Sequence, residues 1–145
     1  MFFQKLPSLL FLDANKDLSC RIQNCKWPIT LADALRLKPG HSSESHLSGN
    51  LIDAYLNFLV ANYTNIKALS LSLITHYSRH KSLPRRINLD WIIDFDGTLF
   101  VPIHLPQHWA LLVANFKECT LTTMDSLNMD HFLNCDILLF IRNFR

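Results

Sequence analysis

Two hydrophobic periods alternate along this chain, and the places where they switch mark its elements. From Leu47 the apolar residues fall at helical spacing, with Leu47, Leu51, Ile52, Tyr55, Phe58 and Leu59 on one face and Asp53, Asn57 and Asn62 mostly elsewhere. A second helix is predicted over Ile66 to Tyr77, where Ile66, Leu69, Leu73, Ile74 and Tyr77 repeat at three and four, and Pro84 ends the connection after it. Ile87 to Ile93 suits a helical turn or a strand equally well. The period then drops to two. Strands are predicted over Leu99 to Leu105 and His108 to Phe116, the second apolar on both faces as in a central, doubly covered strand. Lys117-Glu118-Cys119 makes the expected turn into a third strand, Thr120 to Asp125, rich in β-branched threonine. Past Asn128 helical spacing returns at Leu133, Ile137, Phe140, Ile141 and Phe144. Before residue 46, Pro7, Pro28, Pro39 and Gly40 punctuate short apolar pieces, and His41 to Ser45 reads as a polar linker. Residues 1–45 are therefore expected to be a peripheral arm and 46–145 the domain, of α+β class, with a small mixed or antiparallel sheet flanked by helices.

Composition narrows the partners. A length of 145 residues suits one domain with a sizeable core, and 49% hydrophobic against 18% charged residues is globular usage. A net charge of +2 gives no electrostatic ground for binding nucleic acid or a membrane, and the basic stretch Arg79 to Arg86 is broken by Pro84 and has no interleaved aromatics. No apolar run approaches the roughly 18 residues of a membrane span. The opening segment Met1 to Leu12 is interrupted by Lys5 and Pro7 and lacks a small-residue cleavage site, so it does not read as a signal peptide. Cys20, Cys25, Cys119 and Cys135 are scattered, with neither the two-residue spacing of a zinc site nor a disulfide framework. That usage fits a reducing, intracellular setting, nuclear or cytoplasmic. Nothing in the sequence asks for a metal or a cofactor.

The chemistry concentrates in the strands. If the turn at Lys117-Glu118 has two residues, Phe116 faces Cys119 and counting outward sets His108 opposite Leu127. Asp125 is then a diagonal neighbour of His108 on the same face, within reach of the imidazole. A three-residue turn would reverse the parity and send Asp125 to the other face unless a bulge restored it. A carboxylate so placed fixes the imidazole tautomer and stabilises the imidazolium, which equips a histidine as a general base. The same two residues also suit a plain structural use, capping a strand end and the turn after it.

The run Phe100-Val101-Pro102-Ile103-His104, then His108-Trp109-Ala110-Leu111-Leu112-Val113, then Asp125-Ser126-Leu127 resembles the ubiquitin-like-protein protease family, cysteine peptidases that process and remove SUMO and related modifiers. The resemblance covers about residues 46–144. It implies a papain-like, adenovirus-protease-like fold, here incomplete, with His108 as general base and Asp125 as its orienting carboxylate. It also implies that Trp109 is one flat wall of the channel for the modifier's diglycine tail; simple core packing is the structural alternative for this residue. SUMO or another ubiquitin-like protein and its conjugates would be the partners. The sequence departs from the family pattern in two places. His46 stands where the family has its first tryptophan, with Ser48-Gly49 at the following Asn-Asp, and no Asp-Cys-Gly nucleophile motif or preceding oxyanion glutamine occurs before the chain stops at Arg145. The expectation is thus a C-terminally truncated peptidase domain holding two of three catalytic groups, with a non-catalytic modifier-binding module as the alternative. The removal of covering helices would leave an apolar patch around Leu111 and Val113.

A second resemblance competes locally. Trp91-Ile92-Ile93-Asp94-Phe95-Asp96-Gly97-Thr98 is similar to the first motif of haloacid-dehalogenase-type phosphatases, an apolar strand ending in Asp-x-Asp-Gly-Thr. That chemistry needs a lysine and further acidic residues from a long following chain, and Lys117 is the sole lysine after Thr98. The alternative is a polar turn leading into the Phe-Val-Pro strand.

Overall fold

The computed structural model describes residues 19–20, 29–37, 46–80, 82, 88–105 and 107–127. The chain divides into two compact units, Met1–Tyr63 and Thr64–Arg145. The helix expected past Asn128 lies outside the described residues.

In the first unit, β1 (Ser19–Cys20) pairs antiparallel with β2 (Ile29–Thr30), which runs directly into the short helix α1 (Leu31–Leu35). Thr30 is the N-cap of α1: its hydroxyl accepts from the Asp33 amide at 3.2 Å, while the Asp33 carboxylate accepts from the Thr30 amide at 2.9 Å. This reciprocal box satisfies donors that a helix start leaves orphaned. Helix α2 (Gly49–Asn62) follows, capped by the Ser48 hydroxyl on the Leu51 amide. The face it buries is only partly the one expected, with Leu51 shared. Leu51, Ala54 and Leu56 are buried, whereas Leu47 and Tyr55 are exposed. The helix is apolar around much of its circumference, so periodicity alone does not select a face; the small Ala54 permits close packing, and Leu51 and Ala54 cluster with Ile29 and Leu37.

Asp33 ties these pieces together. Burial raises its carboxyl, but hydrogen bonds from Ser48, Thr30 and Asn50 outweigh that and hold it below the ordinary value of 3.8. A folded-state value below the unfolded one stabilises fully above the unfolded value and is lost as pH falls through the folded one. Acidification from neutrality to below the ordinary carboxylate range should therefore lower the wild-type urea midpoint, and Asp33→Asn should be weaker at pH 6 but lose less on acidification. Equal acid sensitivity in the two proteins would contradict this role.

In the second unit a four-stranded sheet has the order β3-β4-β5-β6, with β3 (Ile66–Ala68), β4 (Thr98–Leu105), β5 (His108–Asn115) and β6 (Thr120–Met124). Only β3 and β4 are parallel; β4, β5 and β6 form an antiparallel meander. The expected helix over 66–77 is corrected here. Its first residues are the strand β3, and the helix α3 (Leu71–His80) starts only after Ser70, whose hydroxyl accepts from the Leu73 amide. Parallel pairing with β4 is a long-range contact that overrides a local helical period. Of the stretch expected as a helical turn or a strand, the described residues 88–93 contain a 3₁₀ turn at Asp90–Ile92.

The core lies on one face of this sheet. Cross-strand pairs Leu99–Ala114, Val101–Leu112 and Ile103–Ala110 are buried there under Leu69, Leu73 and Ile74 and under Leu89 and Ile92. On the other face Leu111 and Val113 are half-buried and Met124, opposite Leu111, is 57% exposed, so β5 is fully covered on one side only. Pro102, fully buried in mid-strand, breaks no ladder. The Thr98 amide and Phe100 carbonyl bond toward the β3 side, and the nitrogen of Pro102 faces the same way, past the point where β3 has ended.

Gly97 opens β4 under a close approach. A Cβ there would lie 2.2 Å from the Asn65 carbonyl oxygen, the acceptor for the Thr98 amide. The run that resembles a phosphatase motif is therefore something else. Trp91 and Ile92 form the 3₁₀ turn rather than a strand, and Asp94 and Asp96 are exposed in the loop that precedes β4, at the strand's N-terminal end. Phe95 anchors that loop edge-on between Trp91 and Phe116, with ring centroids at 5.8 and 5.9 Å.

Candidate active site

Two hairpins aim the site. Between β4 and β5 the register pairs Leu105 with His108, so the connection is two residues long, and Gln107 takes the left-handed φ of 58° that so short a connection demands. His108 is thereby fixed as the first residue of β5. At the far end, Asn115 pairs with Thr120 and Leu111 with Met124. The loop has four residues, 116–119, where two were expected, with the Glu118 amide on the Asn115 side-chain oxygen and Cys119 at φ 53°. A change of two preserves parity. Continuing the observed register places Leu127 opposite His108, as counted from the sequence.

Asp125 therefore falls on the face of His108, and the imidazole Nε2 is hydrogen-bonded to Asp125 Oδ1. The two side chains are only 11% and 7% exposed, so water screens the pair weakly. Asp125 Oδ1 also accepts from the Leu127 amide at 2.9 Å, an Asx turn that fixes the carboxylate just past the end of β6. With Nε2–H donated to the carboxylate, the neutral ring carries its lone pair on Nδ1, and protonation there creates an imidazolium that Asp125 stabilises. The arrangement is that of a general base held in one tautomer.

Trp109 follows His108 on the opposite face of β5, half-buried, and packs against His104, its cross-strand partner, with ring centroids 4.3 Å apart and planes tilted by 32°. The register joins Trp109 to His104, a contact the sequence reading did not draw. The two-residue connection at Pro106-Gln107 was its signal, since counting outward from it pairs residue 104 with 109. The Leu127 amide was missed likewise, though Asp125-Ser126-Leu127 has the form of an Asx turn.

A histidine at the head of one strand bonded to a carboxylate at the end of the next is a pairing that general-base chemistry can use, set here in a small mixed sheet. The family model of the Ulp1 protease family, C-terminal catalytic domain, matches residues 36–132, and the chain belongs to that family. Solved structures agree on the fold. The C-terminal Ulp1 protease domain in complex with Smt3, the yeast ortholog of SUMO, is 22% identical with a TM-score of 0.62 over 97% of this chain and 61% of its own. SUMO protease Ulp1 with its catalytic cysteine oxidised to a sulfenic acid is 21% identical, TM-score 0.71, over 97% and 64%. The Ulp1-like SUMO protease catalytic domain of Chaetomium thermophilum is 16% identical, TM-score 0.63, over 99% and 62%. The chain thus spans less than two thirds of the length of these structures. No sequence among curated proteins matches it.

Proposed function

We propose that these 145 residues are the modifier-recognising, base-bearing part of a cysteine-type peptidase domain for SUMO or another ubiquitin-like protein. The carrying observation is the buried His108–Asp125 pair at the head of the β4–β6 meander, inside the stretch that matches the family. His108 is the general base through Nδ1, Asp125 orients it, and Trp109 is a wall for the modifier's diglycine tail, whose glycines bring no side chain to clash with a flat indole. A thiol at Nδ1 would give up its proton to His108 and attack the carbonyl of the terminal glycine as thiolate; the C–N bond to the leaving amine breaks as His108 returns the proton to it, and water then releases the acyl group from the sulfur. Cys119 is not that thiol. It lies beyond Asn115, the far end of β5 from His108, a separation of roughly 23 Å at the ordinary strand rise.

The test separates binding from turnover. Purified chain should bind SUMO ending in diglycine, bind it more weakly as Trp109→Ala, and show no turnover of a SUMO–diglycine fluorogenic reporter. Turnover abolished by both His108→Ala and a single cysteine substitution would overturn the assignment of a missing nucleophile. Binding insensitive to Trp109→Ala would overturn the recognition role.

A further inference from the structure

We infer that His104 is a positioning residue for the Trp109 indole, and so sets the affinity of this chain for a modifier tail without belonging to the base-and-acid pair. The inference rests on the assignment of Trp109 as a tail-binding wall. His104 is exposed near the turn end of the hairpin, a place where strands usually carry a β-branched or charged residue, yet its ring is spent against the indole. The register makes the contact directional. His104 and Trp109 are cross-strand partners one pair away from the closing Leu105–His108 pair, and that two-residue turn leaves the strands no freedom to slide. On that side of the sheet the imidazole packs against the Trp109 ring. Without it the half-buried indole loses a ring contact that restrains its χ angles, and a wall that must be flat and stationary loses affinity for the chain it holds.

An aromatic pair of this kind contributes a modest, geometry-dependent energy, which corresponds to an affinity change of about threefold to tenfold. His104→Ala should weaken binding of SUMO ending in diglycine by that factor, and His104→Phe, which restores a flat ring, should recover most of it. The same variants should bind SUMO lacking its last two glycines as the wild type does, because only the tail meets Trp109; a general structural defect would weaken both probes. Thermal unfolding of each variant establishes that the sheet is intact.

The possible failures are distinct. If Trp109→Ala leaves diglycine-SUMO binding unchanged, the tail-wall assignment itself is wrong. If Trp109→Ala weakens it while His104→Ala does not, or His104→Phe fails to recover it, the positioning role is overturned and the wall stands. Equal weakening toward the tail-deleted modifier also overturns it.

Discussion

Leu99→Ala should destabilise the second unit by about 3 kcal/mol, within the range for truncating a buried leucine. Leu99 is 1% exposed, pairs with Lys67 of β3 on one side and Ala114 of β5 on the other, and lies in the cluster formed with α3 and the 3₁₀ turn. Its cross-strand partner Ala114 is already small and cannot swing in to fill the space, so both the transfer and the cavity terms apply. The urea midpoint of the chain reads this loss. A shift worth less than about 1 kcal/mol would mean that the site collapses around the alanine and that the core is looser than this packing indicates.

Asp125→Ala should have the second large effect, on the site rather than the core. The substitution removes the acceptor of both His108 Nε2 and the Leu127 amide. Leaving the part-buried imidazole donor without that acceptor costs about 1–3 kcal/mol, whereas the exposed Leu127 amide can turn to water. Asp125→Asn separates this cost from orientation: its amide keeps an acceptor for Leu127 but can also donate to the ring, so it no longer forces the Nε2–H tautomer. Nitrogen chemical shifts of His108 should report Nε2–H in the wild type and a mixture in Asp125→Asn. An unchanged tautomer in the asparagine variant would show that something other than Asp125 holds the ring.

The meander and its chemistry were legible because the side-chain period and the turn count are local. The pairing of His108 with Asp125 needed only the strand from 108 to 116, the strand after Thr120, and a turn of even length; the turn proved to have four residues instead of two and the face was still right. What could not be read came from contacts between distant segments. Ile66 to Ala68 repeat like a helix, and become a strand only because Thr98 to Phe100 are there to pair with them. In α2 the many apolar positions left the buried stripe undetermined until Ala54 was seen packed with Ile29. The capping box at Thr30 and Asp33 is readable in principle, four residues with the right ends, but it lies in a stretch that its prolines otherwise mark as a peripheral arm. Its carboxylate is aspartate where the commoner signature has glutamate or glutamine.

The single parallel pairing, β3 with β4, also orders the unit by the entropy of loop closure. Joining Ile66 to Thr98 requires closing a connection that contains α3 and the 3₁₀ turn, whereas β4, β5 and β6 are joined by turns of two and four residues. Closure entropy grows with the length of chain between contacts, so the meander is the cheaper part to assemble and the crossover the dearer. His108 and Asp125 sit on the cheap side, and their geometry is set by the part of the unit that depends least on distant chain.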